Sequence, residues 1–219
     1  IGDGGEHRER SAEHRSHHCT PDHARHADDR TDGAMMARFI RKVVTMGFHH
    51  VAVATKDTAA THDFYTRVMG FSLAKVVAGP TPSGKGWSKH IFYDTGDGEL
   101  IAFWELHDPE IGDEYSTDLN VSIGLPQWVN HLAFDAPTME DLVAHREHWR
   151  ACGHMVFEVD HEFCVSIYTT DPNGIMVEFC HSTRPFNETD LANAARDVLA
   201  EMPEFDAPPK AVLHHPTSV

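Results

Sequence analysis

Three side chains of metal-ligating type, His50, His131 and Glu178, stand in strand-like runs at matching places along this 219-residue chain. His50 opens the run His50-Val51-Ala52-Val53, and His131 opens His131-Leu132-Ala133-Phe134. Glu178 lies between Val177 and Phe179 in a later run. Side chains alternate in direction along a strand. If Val51, Val53, Leu132 and Phe134 turn to a packed core, His50 and His131 face the other way, and Ala52 and Ala133 leave room beside them. Two imidazoles and a carboxylate on one concave face form a donor set suited to iron, manganese, nickel or zinc. Without such compensation, a buried carboxylate costs more than the ~2–7 kcal/mol of a neutral polar group. The convergence requires the first strands of the two halves to pack side by side. His49 competes with His50, but it points away from the cup, and His131 aligns with His50.

The elements that must position these residues follow from local signals. A strand is expected over 48–54, then a helix capped by Asp57 or Thr58 with Phe64, Val68 and Met69 at helical spacing. Gly70 ends that helix, and strands follow over 71–78, 90–94 and 99–106, with a Gly/Pro-rich loop over 79–89. The order then repeats. A strand over 129–134 precedes a helix opened by the capping pair Thr138 and Asp141, with Leu142 and Trp149 on its buried side and Gly153 as its stop. Strands over 154–160, 164–170 and 175–180 complete the second copy. The expected fold class is α+β: two tandem βαβββ modules forming a cupped mixed sheet around a metal site. Module one spans 47–106, an acidic linker or lid 107–127, and module two 128–182. The duplication sets Glu105 against Glu178, which makes Glu105 a possible fourth ligand. Residues 183–219 are expected to hold one amphipathic helix over 187–200 and a frayed tail.

The formal charge of −16 argues against a nucleic-acid partner, because a phosphate backbone repels such a surface. No apolar run reaches the ~20 residues that span a bilayer, and the four cysteines show no CxxC pair or framework spacing. A cytoplasmic protein with free thiols is expected. Residues 1–37 are rich in Arg, Asp, Glu and His with almost no large apolar side chain, so disorder is expected there. Their histidines, His7, His14, His17, His18, His23 and His26, read better as part of an upstream extension, with Met35 or Met36 as the natural start, than as a metal site. No nucleotide-binding Gly-rich loop or nucleophile elbow occurs.

One run is more specific than the rest: Val159-Asp-His161-Glu-Phe-Cys-Val-Ser-Ile-Tyr168-Thr-Thr-Asp171-Pro172-Asn-Gly174-Ile-Met-Val-Glu178. With the repeat, it resembles the vicinal oxygen chelate (glyoxalase/bleomycin resistance/dioxygenase) superfamily, and within it the type I extradiol ring-cleavage dioxygenases. The D-P-x-G turn followed by Glu is common to the superfamily, so His161 and Tyr168 carry the dioxygenase part of the likeness. The resemblance implies Fe(II), less often Mn(II), held by His50, His131 and Glu178, with a catechol-like aromatic and dioxygen as the small-molecule partners. It also implies that His161 and Tyr168 hydrogen-bond substrate oxygens and ease proton transfer. A homodimer is the expected assembly, without nucleic acid or membrane. Two departures stand against this assignment. The acid–base histidine expected late in module one is missing from Asp94-Thr-Gly-Asp-Gly-Glu99, His90 being the nearest. Glu105, as a fourth ligand, would instead fit a glyoxalase-type isomerase, lyase or epimerase with Ni(II) or Zn(II). A non-catalytic small-molecule binder is the remaining alternative.

Overall fold

The computed structural model describes residues 47–96 and 98–217; the segment expected to be disordered lies outside them. Module one runs β1 (His50–Thr55), α1 (Thr58–Asp63), a π-helical turn (Phe64–Val68), β2 (Ser72–Pro80), β3 (Trp87–Gly96) and β4 (Glu99–His107). Module two runs β5 (His131–Asp135), α2 (Met139–Ala151), β6 (Val156–Asp160), β7 (Cys164–Thr170) and β8 (Met176–Ser182). Then come α3 (Glu188–Asp197) and β9 (Lys210–His214). The strands form two mixed sheets, ordered β1-β4-β3-β2 and β5-β8-β7-β6-β9. In each, the first strand of the module lies at an edge, parallel to the last. This is the tandem βαβββ architecture.

Local chemistry sets the element ends. Asp57 caps α1 by accepting from the Ala60 amide at 2.9 Å. Thr138 and Asp141 form the reciprocal capping box of α2, which satisfies donors the helix itself cannot. The chain leaves each helical segment through a glycine in the left-handed region, Gly70 at φ 82° and Gly153 at φ 90°.

Among the described residues, a single core lies between the two sheets. Phe64, Tyr65, Val68 and Met69 from module one's helical segment join Leu142 and Trp149 from α2, with Ile101 and Phe103 of β4 and Val177 and Phe179 of β8. Phe71 bridges the halves by packing edge-on against Phe134, centroids 4.9 Å apart. The D-P-N-G turn has a share in this junction. The Tyr65 hydroxyl donates to the buried Asp171 carboxylate at 3.0 Å, and the Asn173 amide donates to Thr61 at 3.2 Å. The motif therefore ties module two to module one's helix.

The C-terminal tail departs from expectation. Residues Lys210–His214 pair antiparallel with β6 through a five-residue ladder. Arg150 Nε donates to the His215 carbonyl at 2.8 Å, and His214 Nε2 lies 3.0 Å from Glu158. A run of alternating side chains between prolines satisfies its backbone groups by extending an existing sheet, so the tail is a strand.

Candidate functional site

The helix-side residues Val53, Leu132 and Phe134 pack against the core, so His50 and His131 lie on the faces turned away from it. His131 and Glu178 meet: Nε2 stands 3.0 Å from the carboxylate. Glu178 sits next to His131's row because Ala133 is its register partner across the parallel β5–β8 pair. Its residue is only 5% exposed. His131 Nδ1 lies 3.1 Å from the Trp128 carbonyl, which can only accept, so the ring proton sits on Nδ1. Nε2 then turns a lone pair toward a buried carboxylate oxygen. Two acceptors at that separation repel unless a proton or a cation lies between them. A backbone carbonyl that orients one ring nitrogen while the other is left to ligate is the usual arrangement around metal-bound histidine. The donor set fits a divalent metal.

Tyr168 faces Glu178 directly across the β7–β8 ladder. His161 Nε2 lies 3.2 Å from its hydroxyl. Burial, with the Glu178 charge adding to it, pushes the Tyr168 hydroxyl up to about 12, so it keeps its proton at neutral pH. His131, Glu178, Tyr168 and His161 thus form one continuous polar group on the outer face of the five-stranded sheet.

His50 lies elsewhere. It opens β1 at the edge of the other sheet, with its Nδ1 2.8 Å from that of His49 and its ring edge-on to His90 and Phe92. Among the described residues, no three His, Cys, Asp or Glu side chains form a group able to hold a metal. One copy of the chain therefore does not bring His50 to His131 and Glu178. His90 shares His50's side of the sheet, stacks on Trp104 at 3.9 Å and keeps a buried Nε2 without a hydrogen-bond partner.

Glu105 does not occupy the position that Glu178 holds. The residue in register with Ala52 is Ala102, just as Glu178 is in register with Ala133. Glu105 lies three positions further along β4 and so faces the helix side. There it accepts from Thr58 Oγ1 at 2.6 Å and Lys89 Nζ at 2.8 Å, and pairs with His107 Nε2 at 2.7 Å. Burial works against its charge, but these three donors outweigh it and hold the carboxyl at about 2. A carboxylate so compensated has no need of a cation. It borders a cavity of about 260 Å3 with Lys56, His107, Asp113 and Tyr115, on the face opposite His50.

Sequence reasoning missed the cavity beside Tyr168. About 370 Å3 in volume, it is lined by Met155, Phe157, Tyr168, Thr170, Met176 and Leu213 among others. The only hint was the Lys-Ala-Val-Leu-His run near the C-terminus, which reads as strand once its alternation is noticed.

No helix among the described residues is long and apolar enough to cross a membrane. None of the curated proteins matches the chain. Among solved structures, a glyoxylase/bleomycin resistance protein/dioxygenase domain from Frankia sp. EAN1pec is 21% identical, covering 64% of this chain and 99% of that one at a TM-score of 0.47. A lactoylglutathione lyase from Agrobacterium tumefaciens is 20% identical, covering 63% of this chain and 95% of that one at 0.42. A glyoxalase/bleomycin resistance protein/dioxygenase from Nocardioides is 17% identical, with 71% and 96% covered at 0.41. Residues 47–179, which carry β1 to β7, most of β8 and the side chains of His50, His131, His161, Tyr168 and Glu178, match the family model of that description, and the chain belongs to the Glyoxalase/Bleomycin resistance protein/Dioxygenase superfamily.

Proposed function

We propose that the protein is a metal-dependent dioxygenase of extradiol type that opens a catechol-like ring. The observation that carries this reading is the row on the outer face of module two. There Glu178 is buried between His131 and Tyr168, with His161 behind the hydroxyl. The placement of Glu105 adds support, because a carboxylate tied to Lys89 and Thr58 on the opposite face leaves three protein ligands rather than four. Three ligands leave positions for both hydroxyls of a diol and for dioxygen, whereas the glyoxalase-type alternative needs the fourth.

Bound by His131, Glu178 and His50, a divalent iron would supply Lewis acidity and an electron path between substrate and dioxygen. Everything else falls to the chain. Glu178 and His131 fix one side of the site, and Tyr168 and His161 hold a proton beside the diol as its hydroxyls ionise. The overall change balances without a reductant: the ring C–C bond next to a hydroxylated carbon breaks, and both oxygen atoms enter the product.

The full ligand set requires a second copy in this proposal. The two sheets share their helix sides in one core, so the ligand-bearing faces point outward, each beside the outermost strand of its sheet among the described residues, β1 or β5. Apolar side chains such as Trp104 and Phe157 are exposed on those faces. A twofold dimer that sets β1 of one copy beside β5 of its partner joins His50 to the other copy's half-site.

Two measurements test the reading. Purified protein with Fe(II) and oxygen, given a panel of catechols, is expected to form yellow ring-opened semialdehydes; iron-loaded protein inert toward the whole panel ends the proposal. Mixing His50→Ala with Glu178→Gln, each inactive alone, is expected to restore about a quarter of the activity, since half the dimers at equilibrium hold one intact site. No restoration, with exchange of subunits verified, excludes the shared site.

A further inference from the structure

The family match ends at residue 179, yet the site face continues into a strand that begins at Lys210. Register connects them. Ala133, Glu178, Tyr168, Phe157 and Leu213 are successive cross-strand partners on β5, β8, β7, β6 and β9. These five side chains therefore share one face in one row, from the half-site to the outer strand. At about 4.8 Å per strand, Leu213 lies about 14 Å from Glu178 along that row. The end nearest Glu178 is polar. The far end is apolar, and both Phe157 and Leu213 are about half exposed, at 43% and 52%. Between them opens the cavity of about 370 Å3, with Met155 and Met176 on its other walls.

On the proposed dioxygenase reading, we infer that β9 is a specificity element: Leu213, with Phe157, forms an apolar subsite for a substituent on the aromatic diol. A lone ring is roughly as wide as one strand spacing, so a bare catechol held beside Glu178 ends near Tyr168. A ring that carries an alkyl or aryl group reaches over Phe157 to Leu213. Contact there excludes water from apolar surface on both sides, which favours the substituted substrate. The strand is held from the opposite face, where His214 meets Glu158 and Arg150 meets the His215 carbonyl, so its anchors stay clear of the ligand.

The test is binding rather than turnover. Iron-loaded protein under nitrogen is titrated calorimetrically with catechol and with 3-butylcatechol, and the ratio of their dissociation constants is taken. The wild type is expected to prefer the butyl compound by about tenfold or more, in keeping with a few buried methylenes. Leu213→Asp is expected to bring the ratio close to one. Val212→Ser, on the same strand but facing the other side, is expected to leave it unchanged and so reports on strand integrity. Equal affinities in the wild type, an unaltered ratio in Leu213→Asp, or an equal loss in Val212→Ser each overturns the inference. Ring opening is assayed separately in air. A butyl preference that depends on Leu213 without ring opening retires the reaction and keeps the subsite; ring opening without that preference does the reverse.

Discussion

The two modules are the same chain path built twice, and their outer faces differ at the positions that matter for chemistry. Both begin with an imidazole, His50 or His131. Two residues on, the register partner of Ala52 is Ala102, whereas that of Ala133 is Glu178. One strand further, Phe92 stands opposite Ala102, whereas Tyr168 stands opposite Glu178. Module one thus keeps the imidazole and replaces the carboxylate and hydroxyl with apolar groups. On the proposed shared metal site, electrostatics offers a reason for the asymmetry. One buried carboxylate would be balanced by the cation, but a second would occupy a coordination position and add charge in a dry site. Glu105, further along β4, is turned to the other face and balanced by Lys89.

The comparison is broken most severely at Glu178. Glu178→Gln removes the carboxylate while keeping the shape; turnover is expected to fall by more than about a thousandfold, about 4 kcal/mol. Elemental analysis of the purified variant should show the metal lost with it. Retention of full metal content would separate Glu178 from the ligand set.

Ala102→Glu is the reverse experiment, giving module one the acid that module two has. Ala102 is fully buried, and among the described residues no imidazole on its side is held as His131 is by the Trp128 carbonyl. The uncompensated charge is expected to cost about 3–5 kcal/mol in urea denaturation.

A smaller step is Tyr168→Phe, which gives module two the side chain that module one carries at Phe92. Metal content should stay at the wild-type level while kcat falls by about a hundredfold, the usual scale for losing one proton-handling group. A fall in metal content instead would give the hydroxyl a structural part.

The mildest change is Glu105→Gln. Metal content and diol binding are expected to be unaffected, because the residue faces the helix side. Stability should drop, on the order of 2 kcal/mol at neutral pH for a largely buried carboxylate losing its ionic partners. The sign follows from the depressed carboxyl, held at about 2 against an ordinary value of 4.5. The wild-type contribution is present above the unfolded value and fades as pH falls from 4.5 toward 2, so the two proteins should converge in stability in acid. Denaturation midpoints at a series of pH values check this.

Much of the module plan was legible because its signals are local. The capping pair Thr138–Asp141, Gly70 and Gly153 after the helical segments, and apolar alternation in 50–55 and 131–135 each act over a few residues. Such signals survive without tertiary context. His161, Tyr168 and Glu178 were singled out through the resemblance, but their contacts with one another come from the pairing of β7 with β8 and the turn before β7. The tail was misread because a short run of Ala, Val and Leu has no strand identity until β6 offers it an edge.

The sequence by itself determined the two βαβββ repeats and the turning of His50 and His131 away from the side of each strand that packs in the core, but it set them on one shared concave face. Only the tertiary structure decided that Ala102, not Glu105, matches Glu178, and that a shared helix core turns the two imidazole faces apart. The reason is the twofold period of a strand. A shift of one residue in pairing reverses every side chain, and pairing is fixed by partners roughly fifty residues away, beyond the reach of any local signal.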